Sequence, residues 1–361
     1  MSRDLHKEPF DEGTKEKLWI FEQYVKAWLP TFLSPNNRIF SRINVCDFFA
    51  GPGKDMNGIE GSPLLLLKHL PVYYDIIKRN KQSLSVYFND ADKNKIQALE
   101  ATIESMNVPR DLVTITTSSS AFETSFKCVY PSLNQPNTAN FLFLDQNGIK
   151  EITKEIFEQI VLLKNTDFIF FISSSALHRF KSHPNITKHI PTEKVNDASS
   201  QYCHIHRNVL RHYKNLLPAG IKYYLAPFSI KKKSNIYGLI FGTHHLRGVE
   251  KFLTQCWNAD PERGEANFDI DNDNLIEGQS NLFEEYEKPK KTVGFQRDLR
   301  SKILSREITT NRQVFRFALE NGFLAKHARE VIAAMKKEKI IKNSFGVSTD
   351  AWKSPDVEIL L

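Results

Sequence analysis

The sequence predicts a doubly wound α/β domain followed by a small basic helical domain. Three observations carry that reading. Apolar runs of strand length, at 42–45, 84–88, 140–144 and 167–172, alternate with stretches of helical periodicity. The first of them breaks at its carboxyl end into Asp47-Phe48-Phe49-Ala50-Gly51-Pro52-Gly53, where a doubly wound sheet makes its first nucleotide-binding loop. The charge is also unevenly placed. Residues 288–361 hold 16 Lys and Arg against 8 Asp and Glu, and the preceding residues hold 33 against 34, so a polyanionic partner belongs to the tail.

The bulk properties exclude several classes. A chain of 361 residues is long enough for one large domain and one smaller one. No apolar run reaches the ~18 residues of a membrane span. The amino terminus is charged rather than signal-like, so a cytoplasmic protein with no membrane partner is expected. Cys46, Cys128, Cys203 and Cys256 lack C-x-x-C spacing, which argues against a disulfide frame and a cysteine metal site. Cys203-His204-Ile205-His206 has ligand chemistry but lies in a helical stretch without a second ligand pair. Asp269, Asp271 and Asp273 superficially resemble a calcium loop. Asn274 replaces its glycine and Ser280 its glutamate, so no metal is expected there.

In chain order, residues 10–33 read as an amphipathic helix covering the sheet, with Leu18, Phe21, Val25, Trp28 and Leu29 at helical spacing and Pro30 as its stop. Lys17 on this helix is a candidate for the active-site mouth. In the glycine turn, Gly51 and Gly53 let the backbone approach a ligand because they have no Cβ. Asp47 has no use for a phosphate but suits a cationic or hydrogen-bond-donating ligand, which points to S-adenosylmethionine rather than a dinucleotide. Phe48, Ala50 and Pro52 complete that candidate cofactor loop, and an ordinary glycine turn is the alternative. Gly61-Ser62-Pro63 then places a polar cap and a proline at a helix start.

The second strand ends in Asn89-Asp90-Ala91-Asp92. An acid at that tip accepts hydrogen bonds from ribose hydroxyls. Asp90 is the first choice and Asp92 its rival, which equally suits capping of a helix over Lys93–Met106. Asp90 lies 37 residues beyond Gly53, against the usual ~20, so an insertion around Tyr73–Gln82 is expected. After a third strand at Leu112–Thr116, Ser119 and Phe122 are candidates to bond and stack an adenine, with a serine-rich turn as the alternative. The fourth strand ends in Asp145-Gln146-Asn147-Gly148. A carboxylate there is placed to orient or deprotonate a substrate nucleophile, or simply to cap a helix. The polar stretch from His178 and Arg179 to about 200 has the length of a lid or binding loop. Two last strands, Tyr223–Ile230 and Ile236–Thr243, are joined by Lys231-Lys232-Lys233, either a phosphate contact or a solvated turn.

Residues 258–290 turn acidic and lose periodicity, which reads as a linker between domains at 1–257 and 291–361. The tail shows three short helices and a strand-and-wing at 340–346. Thr310-Asn311-Arg312-Gln313 has capping-box spacing. The third helix buries Ala328, Val331, Ile332 and Met335 and presents Lys326, Arg329, Lys336 and Lys337 as candidate nucleic-acid contacts. Such domains also dock proteins.

The set Thr14…Lys17-Leu18…Tyr24…Trp28, Asp47-Phe48-Phe49-Ala50-Gly51-Pro52-Gly53, Gly61-Ser62-Pro63 and Asp145-x-x-Gly148 resembles the three-Cys-motif partner protein family. The resemblance implies a Rossmann-like class I S-adenosylmethionine-dependent methyltransferase domain with a carboxyl-terminal winged helix. It also implies a partner protein, similar to a radical S-adenosylmethionine enzyme, that carries the three cysteines of the name. Gln146 stands where that family usually has proline, which removes a rigid residue from the loop. The first loop is also similar to that of DNA cytosine methyltransferases, but Gln146-Asn147 supplies no Pro-Cys nucleophile for cytosine C5 chemistry. RNA ribose methyltransferases use a Lys-Asp-Lys-Glu set, of which Lys17 and Asp145 fill two roles. The expected function is therefore methyl transfer from S-adenosylmethionine to a nucleic acid, with Asp145 and Lys17 as catalytic candidates. The alternative is a non-catalytic subunit that docks a partner enzyme on nucleic acid.

Overall fold

The computed structural model describes residues 9–36, 39–146, 148–179, 202–274, 288–348 and 355–361, without the side chains of 177–179. Asn147, the expected lid over 180–201, and 275–287 of the expected linker lie outside the described residues, as do the side chains of His178 and Arg179. Seven strands form one sheet: β1 (Arg42–Asp47), β2 (Ser83–Asn89), β3 (Val113–Ser118), β4 (Thr138–Leu144), β5 (Thr166–Ile172), β6 (Tyr224–Lys232) and β7 (Asn235–Thr243). Their order is β3-β2-β1-β4-β5-β7-β6, with β1 to β5 parallel and β7 antiparallel between β5 and β6. This is a Rossmann-like sheet with the strand order of the class I methyltransferase fold. The reversal between β1 and β4, the strands flanking the switch point, opens a crevice at their carboxyl ends where α/β sheets bind ligands.

The helices around the sheet are α1 (Glu12–Phe32), α2 (Ser62–Leu67), α3 (Tyr74–Asn80), α4 (Lys93–Ser105), α5 (Phe122–Leu133), α6 (Lys154–Leu162), α7 (Ser174–Arg179), α8 (Ile205–Asn215) and α9 (Leu246–Ala259). Helix α3 is the insertion that lengthens the Gly53–Asp90 spacing. Alternation in β4 serves both faces of the sheet: Phe141 and Phe143 join one core cluster, Leu142 and Leu144 the other. On the first face α1 lays down Phe21, Tyr24 and Trp28, whose rings stand 4.3–5.7 Å from Phe141 or Phe143. Helix α1 begins at its cap Asp11, which accepts from the Thr14 amide, and runs through Pro30 to Phe32 instead of stopping there.

The tail holds α10 (Lys290–Leu304), α11 (Asn311–Glu320) and α12 (Ala325–Lys337), and Thr310 with Gln313 forms the capping box expected for α11. The expected strand at 340–346 is absent. The segment is instead fixed by the chain end, with Lys342 N–H donating to the Leu360 carbonyl and Leu360 N–H to Asn343.

The junction between sheet and tail is not a linker over its first half. Glu265 and Asp271 each accept two bonds from Arg207 of α8, and Arg263 pairs with Asp269 and Asp273. Lys291 of α10 reaches the same Glu265. The acidic composition is thus an internal ion-pair network, and the three aspartates of the calcium-like spacing are spent on arginines. Trp257 of α9 wedges against the tail: its ring lies 4.0 Å from His327 and 5.6 Å from Phe323, and its Nε1 donates to the Gly322 carbonyl. A Cβ at Gly264 would sit 2.4 Å from that indole, so only glycine fits beneath it. One apolar core therefore runs from α1 into α12. No helix among the described residues is long and apolar enough to cross a membrane.

Candidate active site

The crevice is built from strand tips tied together by backbone bonds. Gly51 and Gly53 both have positive φ, +62° and +85°, and a Cβ on Gly53 would come within 2.8 Å of Leu99. The turn closes on itself through Gly61 N–H to the Gly53 carbonyl, 2.7 Å. Asn89, fully buried at the end of β2, is a strut that sequence reasoning missed. Its amide donates to the carbonyls of Phe48 and Ser120 and accepts from Ser120 N–H, joining the loops after β1, β2 and β3. A buried Asn before the acidic tip was the available signal.

The predicted acids converge here. Asp90, half-buried, accepts from Gly51 N–H at 3.2 Å, so its carboxylate braces the glycine turn from the neighbouring strand. Asp92 caps α4 by accepting from Asn94 N–H, which removes it as the rival. Asp47 is buried, and its two oxygens accept from Ser62 Oγ at 2.6 Å and Phe49 N–H at 3.1 Å. Ser62 is therefore not the cap expected for α2 but an anchor for Asp47, and Gly61 holds the cap position. Burial pushes Asp47 up to about 7, the two hydrogen bonds oppose that, and the neighbouring Asp145 and Asp90 carboxylates add to it.

Lys17 and Asp145, 128 residues apart, form an ion pair at the end of β4. Lys17 is buried, with its ammonium 4.7 Å from the centre of the Phe171 ring. Phe171 stacks on Tyr237, their planes 8° apart, and Lys232 of the β6–β7 hairpin pairs with Asp11 beside them. The basic hairpin thus borders this mouth, and Phe171 and Tyr237 are half-buried aromatic surface that sequence reasoning had assigned only to strands. Gln146 ties down the loop after β4 by its side chain: its Oε1 accepts from Glu151 and Ile152 N–H, while its buried Nε2 has no partner among the described residues.

Other candidates lie elsewhere. Phe122 is core, packed on Phe48 and Phe126 and stacked 5.3 Å from Phe49, so its ring is not an adenine platform. Phe48 is fully buried and offers the crevice its backbone alone, whereas Ser119 is exposed at the β3 tip and Ala50 and Pro52 lie in the turn. In the tail, Lys326, Arg329 and Lys337 are exposed along α12. Lys336 is half-buried, its ammonium 4.8 Å from the Phe345 ring centre. His204 bonds Asp271, and buried His206 bridges Ser174 and the Leu239 carbonyl. Among the described residues no group of His, Cys, Asp or Glu is placed to hold a metal ion.

Residues 269–345 match the family model of the GMT-like wHTH domain. The tail is a winged helix-turn-helix domain. Among solved structures, the chain is similar to the O-methyltransferase TomG from Streptomyces achromogenes, involved in tomaymycin synthesis and in complex with SAM, at 13% identity and a TM-score of 0.34, covering 66% of this chain and 91% of that one. It is also similar to magnesium protoporphyrin IX methyltransferase (ChlM) from Synechocystis with bound SAH, at 10% identity and a TM-score of 0.31, over 66% and 90%. A third is Trm1 from Pyrococcus horikoshii with S-adenosyl-L-methionine, at 9% identity and a TM-score of 0.37, over 70% and 61%. At these scores the likenesses add nothing to the fold that strand order already defines. No curated protein matches the sequence.

Proposed function

We propose that this protein is an S-adenosylmethionine-dependent methyltransferase acting on nitrogen or oxygen of a nucleic acid. The observation that carries the reading is the Lys17–Asp145 pair standing at the switch-point crevice beside the glycine turn. The residues present fit the cofactor. Gly51 and Gly53 leave the positive-φ turn without side chains, Asp90 sits at the β2 tip for ribose hydroxyls, and Asp47 in its ionised form supplies buried negative charge for a cationic ligand. When bound, the cofactor supplies an electrophilic methyl group on a sulfonium. Asp145 then orients the acceptor and takes its proton, and Lys17 fixes the carboxylate by holding one of its oxygens. Phe171 and Tyr237 offer a flat surface for the acceptor base. Lys326, Arg329 and Lys337 hold the phosphate backbone, Lys336 playing a packing role.

The four cysteines are free, which fits a reducing cytoplasm, and a radical-enzyme partner with three cysteines belongs to the same reading. The test is to mix the protein with S-adenosylmethionine carrying a deuterated methyl and with duplex DNA or structured RNA, then to digest and weigh the nucleosides. A deuterated nucleoside is expected. Micromolar cofactor binding with no mass gain on any nucleic acid, with or without the partner, would leave the docking subunit as the reading. No cofactor binding at millimolar concentration would remove the site assignment itself.

A further inference from the structure

At the opposite edge of the sheet a cleft of about 220 Å³ opens between the main domain and α11. Lys222 before β6, His244 and His245 after β7, and Arg312 and Arg316 of α11 line it, with Tyr224, Leu246 and Phe315 as its apolar walls. Among the described residues no carboxylate lines it. Elsewhere at this junction the cations are matched: Arg207, Arg263 and Lys291 all pair with acids. Lys222 and Arg316, by contrast, form no salt bridge with a described residue. The acid that feels them is Glu320, which Arg316, Lys214 and Lys222 pull down against a larger rise from burial.

Two further features point to an anion. The cleft takes its lining from the starts of two helices of 14 and 10 residues: His245 and Leu246 are the cap and first residue of α9, and Arg312 stands in the first turn of α11. Both positive helix ends add to the cationic field. Burial, Arg247 and Lys222 together push His245 below its ordinary range, as expected where positive charge is already in excess. Tyr224 is the second, independent observation. It is 8% exposed, and its hydroxyl has no hydrogen-bond partner among the described residues although a buried hydroxyl almost always has one.

We propose that this cleft is a phosphate-binding site in which Lys222 and Arg316 supply charge and the Tyr224 hydroxyl donates to a phosphate oxygen. It is separate from methyl transfer. Along β7 it stands five residues beyond the level of the Lys17–Asp145 pair, about 17 Å at the rise of a strand. It therefore anchors its ligand away from the reacting atoms. The phosphate belongs either to a nucleic-acid backbone or to a small free anion, and the two sources give different results.

The full-length protein is tested as wild type, as Lys222→Gln with Arg316→Gln, and as Tyr224→Phe, which keeps the ring and its packing. Binding of a 20-base-pair DNA duplex is followed by anisotropy across a salt series, and binding of inorganic phosphate by calorimetry and melting temperature. For a backbone phosphate, the double variant should show a log–log salt slope shallower by about 1.8, two contacts at ~0.9 each. Tyr224→Phe should weaken duplex binding roughly three- to tenfold, the range of one hydrogen bond. For a small anion, inorganic phosphate should raise the wild-type melting temperature and leave both variants unmoved, with duplex binding unchanged in all three. The proposal is overturned if Tyr224→Phe, melting like wild type, binds both probes at wild-type strength. That outcome is decisive even if the double variant fails to fold. Cofactor affinity measured alongside should not change, so failure here and failure of the methyltransferase reading are distinct.

Discussion

At the carboxyl edge of the sheet three acids, Asp47, Asp90 and Asp145, stand near one another and Asp145 pairs with a buried lysine, whereas the other edge gathers Lys222, Arg312 and Arg316 around a cleft that no described acid lines. Both are built at strand ends, from residues far apart in sequence. The acids of the first edge are each hydrogen-bonded, which suits a small cationic ligand held in one pose. The basic edge is open and lightly paired, which suits a polyanion met by long-range attraction. The contrast shows that the excess positive charge of the tail is not spread over its surface. Part of it is turned back towards the main domain.

The sharpest way to break this comparison is at the reacting pair. Asp145→Asn should lower methyl transfer by about 10²–10⁴-fold, the usual worth of a positioned acid–base group, and leave cofactor affinity nearly unchanged. Single-turnover transfer to the nucleic acid identified by mass measures it, and an Asn variant with full turnover would take Asp145 out of the chemistry. Asp90→Ala should come next, weakening cofactor binding by about 1–3 kcal/mol because hydroxyl bonds and the brace on Gly51 are lost together. Calorimetry reads it directly, and unchanged affinity would return the ribose to another residue.

Asp47 offers a test of sign as well as size. Its folded value, about 7, lies above that of an ordinary carboxyl. The contribution of Asp47 to stability is therefore fully present below pH ~4, where both folded and unfolded chains carry its proton, and is lost as pH rises through 7. Asp47→Asn should melt higher than wild type at pH 8, with the gap closing as pH falls to 4. A cationic ligand that requires the ionised form should bind more tightly with rising pH, by up to about tenfold per unit below 7 and then flatly. Titrations at pH 6 and 8 decide it, and equal affinities would separate Asp47 from the cofactor. The smallest effect is expected on the tail: Lys337→Ala, on the exposed face of α12, should flatten the duplex salt slope by about 0.9, and Lys336→Ala, packed on Phe345, should flatten it less. Equal slopes for the two would undo the distinction between them.

Much of this was legible from residue order, because the carrying signals are local. The glycine turn, the apolar run of β4 and the acid after it are contiguous stretches whose period and punctuation name the element. Even the Gly53–Asp90 spacing forecast α3. What escaped was decided by packing across the chain. Phe122 follows a strand tip as a ligand-stacking residue would, yet the ring finds Phe48 and Phe126 and is buried. Ser62 has the chemistry of a cap, but the Asp47 carboxylate claims its hydroxyl. The acids of 262–273 read as a linker because charge without periodicity normally stays in water. Arg207 and Arg263, one of them 58 residues away from its partner Glu265, turn them into interior structure. Lys17 and Asp145 are named separately as candidates by the sequence, but their contact is not, since nothing in a helix period tells which lysine meets a strand tip 128 residues later.

Trp257, seated on Gly264 and bonded to Gly322, has a consequence for how the molecule measures distance. With a shared core in place of a hinge, the tail works as a fixed caliper jaw. On the proposed function, a backbone gripped there would arrive at the crevice with a set offset and a set rotation, and the spacing between anchored phosphate and presented base would be dictated by an indole ring rather than by the reach of a tether.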